Sequence, residues 1–260
     1  MADIHPSAVI DPQAVIGADC EIGPFCVVGP EVVLGEGVTL KSHVVLTGDT
    51  YIGKDTTIFS FAVVGEIPQD LKFNGEKSQL RIGARNRIRE HVTINTGTAG
   101  GGGMTLLGDD NLLMAGCHIA HDAKLGSRCV IVNNTAIAGH CTIEDDVIVG
   151  GLCGVHQYVR IGKGAIIGAL SMVTADVIPH GLVMGQRGVL DGLNLVGLKR
   201  KGVDRRDITA LRAAFQMLKD GEGTFHERAE RLKEESDSPY VREMVEFVLG
   251  PTDRSFLTPK

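Results

Sequence analysis

Residues 14–30 read AVIGADCEIGPFCVVGP and place an aliphatic side chain at Ile16, Ile22 and Val28, each followed by glycine. The step is six. Followed outward, the same phase runs from Ile4 and Ile10 through Leu34, Leu40, Leu46, Ile52, Ile58 and Val64, and returns at Ile82, Ile88 and Ile94. After a shift of one residue it resumes at Leu107, Leu113, Ile119 and Leu125 and continues through Ile131, Ile137, Ile143, Val149, Val155, Ile161, Ile167 and Val173. Neither a helix of 3.6 residues per turn nor a simple alternating strand produces this period. It predicts a mainly β protein, a parallel β-helix in which three hexads make one triangular coil and coils stack about 4.8 Å apart. The glycine after the aliphatic residue is expected where a sharp corner benefits from the missing Cβ.

Composition agrees with a narrow core. The 260 residues include 34 Gly, no Trp and 4% aromatics, so Val, Ile, Leu and small residues must fill the interior. A net charge of -6 gives no support for binding nucleic acid or an anionic membrane. No apolar run approaches the roughly 20 residues of a membrane helix, and MADIHPSAVID lacks the basic and apolar regions of a signal peptide, so a cytoplasmic protein is expected. Cys20, Cys26, Cys117, Cys129, Cys141 and Cys153 each lie four residues after a repeat aliphatic. Elsewhere that slot holds Ala8, Ala14, Val38, Val44, Ala62 or Ala165, which makes the cysteines small buried hydrophobes rather than metal ligands or disulfide partners.

Two segments break the repeat, 65–81 (GEIPQDLKFNGEKSQLR) and 96–105 (TGTAGGGGMT), and read as loops leaving the prism. The first offers Gln69, Asp70 and Lys72 to a polar ligand, and the glycine run of the second is expected to supply flexibility. The hexads stop near residue 187, so residues 1–187 are expected as the prism and 188–260 as a C-terminal helical domain. Asp204 is a candidate N-cap for a helix with Ile208, Leu211, Phe215 and Leu218 on one face. Thr224 and Glu227 have capping-box spacing, and Ser238-Pro239 starts a last helix with Val241, Met244, Val245 and Val248 inward.

The stretch CHIAHD, residues 117–122, carries the candidate chemistry. With about 18 residues per coil, His121, His140 and His156 are expected along one edge of successive coils, outside the inward slots. Stacked histidines suit zinc, but no thiolate faces that edge. Acid/base work needs only one imidazole held in a useful tautomer by an acceptor, and Asp122 is available to His121. Adjacent residues on a regular strand point to opposite faces, so this pairing requires a turn.

The residues IGPFCVVGP, LKSHVVL, GEIPQDLKFNGE, GARNRIREHVTIN, DNLLMAGCHIAHD, NNTAIAGH, GVHQY and GLKRKG closely resemble the acyl-carrier-protein-dependent UDP-N-acetylglucosamine O-acyltransferases of lipid A biosynthesis. The match runs through the prism into the helical tail. The resemblance implies a left-handed β-helix and a homotrimer with active sites between prisms. It also implies transfer of a 3-hydroxyacyl chain from acyl carrier protein to the 3-hydroxyl of UDP-N-acetylglucosamine, with no metal or cofactor. By that resemblance His121 is the general base, Asp122 its orienting group, and the Gly139 N–H the oxyanion donor. His118, Gln69, Asp70, Lys72 and Gln157 fall at the sugar-nucleotide site, and His140 and His156 lie along the sugar and acyl positions. Asn194, Arg200 and Lys201 fall where the family contacts uridine and phosphate.

Three positions depart from the family pattern: Asn95 and Lys201 stand in place of His and Arg, and Val196 in place of Glu. Ala169 occupies the acyl-chain ruler position, where Gly admits long chains, which implies a somewhat shorter donor. Two alternatives stay open on these residues. One is N-acylation of a 2,3-diamino sugar nucleotide on the same scaffold, and the other is a metal-dependent hydratase.

Overall fold

A computed structural model describes residues 1–259. Short strands, most of two residues, form three sheets of 11, 9 and 8 strands, parallel except for the last strand of the first. Each coil gives one strand to each sheet in turn, so the sheets are the first, second and third faces of a triangular prism. The hexad aliphatics set the register: Ile22, Leu40, Ile58, Ile88, Leu113, Ile131, Val149 and Ile167 stack on one another along the first face. All are buried. Ile4, in the first of these coils, is 42% exposed.

Both interruptions leave the register intact, because Ile58 still pairs with Ile88 and Ile88 with Leu113. The second loop absorbs the residue that shifts the phase. Each loop is shorter than expected. Strand Gln79–Ile82 pairs over four residues with Asp49–Ile52 and with Met104–Leu107, which leaves 67–78 and 96–103 outside the prism.

The glycines that follow the aliphatics have a different cause from the one expected. Left-handed backbone falls two residues later, at the second corner residue, and is borne by Asp19, Phe25, His43, Asp55, Asp122 and His140 among others. Gly53 has ordinary backbone angles, but a Cβ there would collide with the backbone of Gly83 on the next coil. Close approach, not torsional freedom, requires it. The six cysteines are free and buried as the repeat implies. Cys20 and Cys26 donate to the carbonyls of Gly35 and Lys41 at 3.1 and 2.8 Å, and burial pushes the thiols of Cys129 and Cys141 up to about 12.

A hairpin ends the prism. Gly181–Met184 adds to the first face, and Val189–Leu193 turns back antiparallel to it, so strand structure continues past residue 187. Four helices follow: α1 (Leu195–Arg200), α2 (Arg205–Asp220), α3 (Phe225–Glu235) and α4 (Pro239–Leu249). Asp204 caps α2, Thr224 and Glu227 complete a capping box on α3, and Pro239 opens α4. In α2 the buried face is Ile208, Leu211, Ala214 and Leu218, with Phe215 half-buried beside it. Helix α1 is too short to leave a periodic signal. Among the described residues no helix is long and apolar enough to cross a membrane.

Candidate active site

The corner between the second and third faces stacks His121–Asp122, Gly139–His140 and Gln157–Tyr158 on consecutive coils, with the His140 N–H donating to the His121 carbonyl and the Tyr158 N–H to that of Gly139. Asp122 takes a φ of 59°. That left-handed corner turns its carboxylate to the same side as the preceding imidazole, and the His121 Nδ1–H donates to Oδ2 at 2.8 Å. The turn the pairing requires is therefore built into the hexad corner. Both side chains are buried.

Asp122 is held from a second direction by the 96–103 loop. The Thr98 N–H donates to Oδ1 at 2.9 Å and the Thr98 hydroxyl to Oδ2 at 2.6 Å. The Asp122 N–H in turn donates to the Thr105 hydroxyl at 2.8 Å. A Cβ on Gly101 would overlap the Asp122 carboxylate. The glycine run thus works at this position as close packing over the site rather than as flexibility, although Gly100, Gly102 and Gly103 have open space beside them.

With Nδ1 donating, His121 presents a lone pair at Nε2. That edge of the ring lies over Gly139, where an added Cβ would sit 2.6 Å from Cε1 and 2.7 Å from Nε2. The Gly139 N–H has no acceptor among the described residues. One ring nitrogen able to take a proton and one free backbone donor therefore lie side by side in a buried corner.

His140 stacks on Tyr158 with centroids 4.5 Å apart and meets His121 edge-on at 5.0 Å. Burial pushes the His140 imidazole below its ordinary range against the opposing pull of Asp122. His118 lies on the second face with Nδ1 2.8 Å from the Thr93 hydroxyl, and burial lowers it as well. A pocket of about 530 Å³ opens in front of His140 and Tyr158, walled across by Asp70, Lys72 and Glu76. Gln69 is exposed on the same loop, and His156 and Gln157 are exposed one coil further on.

Not every expected residue reaches this corner. Ala169 is exposed at the corner between the first and second faces. Asn194 caps α1 by accepting from the Gly197 N–H at 2.9 Å and donates to the Gly164 carbonyl at 3.0 Å, which places it at the third corner. Lys201 pairs with Asp146 at the same corner, Nζ to Oδ2 3.0 Å, and Arg200 is exposed beside it. Val196 is 60% exposed on α1. Asn95 is buried and donates to the carbonyls of Glu66 and Ile67 at the base of the first loop. In one chain the expected site residues are thus divided among three corners.

Thr98 and Gly101 escape sequence reasoning because they sit in a loop with no period, and Thr105 because its strand, Met104–Leu107, directly adjoins that loop. Tyr158 was findable, since it lies one coil after His140. Ligand atoms of His121, Asp122 and His140 lie within 4.8 Å of one another. The donor set does not fit a cation, because the Asp122 oxygens already take three hydrogen bonds and one of them occupies His121 Nδ1.

Residues 176–257 match the family profile described as UDP N-acetylglucosamine O-acyltransferase, domain 2, and residues 2–35, 13–48 and 104–139 match the bacterial transferase hexapeptide repeat. The chain is 64% identical over 202 residues to an acyl-[acyl-carrier-protein]--UDP-N-acetylglucosamine O-acyltransferase of Paracoccus denitrificans, covering 78% of this chain and 77% of that one. It is 47% identical over 213 residues to the protein of that name from Rhizobium johnstonii, with 82% and 78% covered. The solved UDP-N-acetylglucosamine acyltransferase from Campylobacter jejuni superposes with a TM-score of 0.93 at 39% identity, over 99% of this chain and 100% of that one.

Proposed function

Since the chain belongs to the acyl-[acyl-carrier-protein]--UDP-N-acetylglucosamine O-acyltransferase family of lipid A biosynthesis, a family of left-handed parallel β-helices, we propose how its corner at His121 carries out that transfer. The relatives are named for O-acylation, and neither amide formation nor hydration finds support among them.

One observation carries the mechanism: Asp122 locks His121 Nδ1 as a donor, and the free Nε2 lies beside the unused N–H of Gly139. The sugar 3-hydroxyl gives its proton to Nε2 while its oxygen attacks the thioester carbon. The carbonyl oxygen becomes an oxyanion and takes the Gly139 N–H, a fixed donor of the kind worth about 3 kcal/mol in a dry site. Collapse breaks the carbon–sulfur bond, and the imidazolium returns its proton to the departing thiolate. Asp122 stabilises the imidazolium between the two transfers.

Asp70, Lys72 and His140 wall the pocket at this corner, and they are assigned to the acceptor with His118, Gln69, His156 and Gln157. The neutral state favoured at His118 and His140 suits hydrogen bonding to sugar hydroxyls. The separation of Ala169, Asn194, Arg200 and Lys201 onto other corners supports a homotrimer, since only a neighbouring prism can bring a second corner to His121. Asn194, Arg200 and Lys201 are assigned to uridine and phosphate and Ala169 to the end of the acyl chain. Free, inward thiols fit the cytoplasm, where acyl carrier protein supplies the donor.

His121→Ala is expected to abolish turnover of 3-hydroxyacyl-acyl carrier protein with UDP-N-acetylglucosamine while the oligomer mass and melting temperature stay unchanged. Substantial remaining activity removes His121 as the base. Mass analysis of products from UDP-N-acetylglucosamine and its 2,3-diamino analogue, side by side, is expected to give the ester as the favoured product; preferential amide formation overturns the acceptor assignment.

A further inference from the structure

The C-terminal segment after α4 returns to the prism and is fixed there by Asp176, whose side chain is fully buried. The Asp176 N–H donates to the Ser255 carbonyl and the Leu257 N–H to the Asp176 carbonyl, each at 2.8 Å. Its carboxylate takes the Thr252 hydroxyl and the Arg160 Nε–H, both at 2.7 Å. Phe256 packs in the same place, 6.2 Å from Phe247 and 5.6 Å from the Arg160 guanidinium.

This anchoring delivers one side chain to the active corner. The Arg254 Nε–H donates to the Gln157 carbonyl at 3.0 Å and its Nη2 to His156 Nδ1 at 2.6 Å. A guanidinium only donates, so His156 Nδ1 must accept and its proton resides on Nε2. Arg85, Arg128 and Arg160 on the prism are each matched by aspartate. Arg254 is matched by no carboxylate among the described residues; both partners of its guanidinium are neutral. Its remaining N–H groups keep a planar fork suited to a phosphate oxyanion. Gln157 lies two coils from His121, which places this charge about 10 Å along the prism from the base.

We propose that Arg254 is a substrate-binding residue: held at the active corner by the C-terminal segment, it binds a phosphate oxyanion of a substrate and fixes His156 as an Nε2–H donor. The proposal rests on the acyltransferase reading above, in which both substrates carry phosphate, the acceptor as a diphosphate and the donor in its phosphopantetheine arm. The shared chemistry is a phosphate ester, and the source is separated by experiment.

Full-length Arg254→Ala and Arg254→Lys are compared with wild type, varying UDP-N-acetylglucosamine and acyl-acyl carrier protein separately and using S-acyl pantetheine, which lacks the phosphate, as a second donor. Loss of one charge-assisted contact in Arg254→Ala is expected to raise KM for one phosphate-bearing substrate by about 10-fold or more, with kcat little changed and partial recovery in Arg254→Lys. A rise for UDP-N-acetylglucosamine alone assigns the acceptor's diphosphate. A rise for acyl-acyl carrier protein but not for S-acyl pantetheine assigns the donor's phosphate. Calorimetric binding of UDP-N-acetylglucosamine and of phosphopantetheine reads the same site without turnover, so a wild-type enzyme that fails to acylate sinks the reaction assignment and leaves this measurement standing. Unchanged KM values and affinities, or a loss that tracks a lowered melting temperature in both variants, overturn the proposal.

Discussion

Thr98 and His121 bind the same atom. The Thr98 hydroxyl donates to Asp122 Oδ2 at 2.6 Å, and the His121 Nδ1–H donates to that oxygen at 2.8 Å. The hydroxyl therefore fixes where the carboxylate sits, and the carboxylate fixes the ring. Thr98→Val keeps the side-chain volume and the backbone bond to Oδ1 but removes the hydroxyl. Because hydrogen bonds to charged groups are worth about 1.5–3 kcal/mol, kcat is expected to fall roughly 10- to 100-fold. Thr98→Ser is expected to restore most of it. Normal turnover by the valine variant removes Thr98 from the positioning of Asp122.

Gly139 carries two requirements at once, a free N–H and an empty Cβ position under the His121 ring. Its backbone is not left-handed, so Gly139→Ala introduces no torsional strain. The methyl group instead displaces the imidazole from its place over the oxyanion donor. Misplacement of this kind costs on the order of 100-fold in rate. We expect kcat to drop by about that factor while thermal unfolding stays close to wild type. A variant that keeps full kcat shows that the ring does not act from above Gly139.

Most of the prism was legible because its cause is local and repeated. Each hexad aliphatic must point inward, so one period fixes strand, face and register together, and the inward slot also places all six cysteines. The same counting puts His121, Gly139 and Gln157 in one column. What the period cannot carry is the loop. Thr98 and Gly101 reach Asp122 only because residues 96–103 fold back over the corner, and nothing in their spacing announces that contact. The corner glycines are illegible for a related reason: the collision at Gly53 is with Gly83, a neighbour in space that a local turn argument does not see. Asn194 illustrates the reverse case, a residue legible by resemblance whose second task, capping α1, its spacing does not announce.

Burial holds the imidazoles of His118 and His140 below the ordinary value of 6.5. As pH falls, the unfolded chain takes up these protons first. The stabilising contribution is complete above about 6.5 and is lost as pH falls through that value toward the lowered folded-state values. The melting temperature is therefore expected to decline between about pH 7.5 and 5.5. Replacing both histidines by glutamine is expected to flatten that decline, because glutamine does not titrate. An equal slope in the double variant assigns the pH dependence to other groups; Glu144 is not one of them, because burial raises that carboxyl and gives it the opposite sign.

Ala169 is exposed in a single chain, at a corner whose left-handed residue is the following Leu170. Replacing it by glycine therefore relieves no backbone strain and changes only the space in front of the corner. Under the trimer proposed above, that space faces the far end of the acyl chain, and the Ala169 methyl blocks it. Each further methylene buried there is worth about 0.8 kcal/mol, or roughly a fourfold preference. With a series of 3-hydroxyacyl donors differing by two carbons, Ala169→Gly is expected to move the optimum of kcat/KM to the longer chain by about 15-fold, leaving KM for UDP-N-acetylglucosamine unchanged. A glycine variant with the wild-type chain-length profile shows that the acyl chain ends elsewhere.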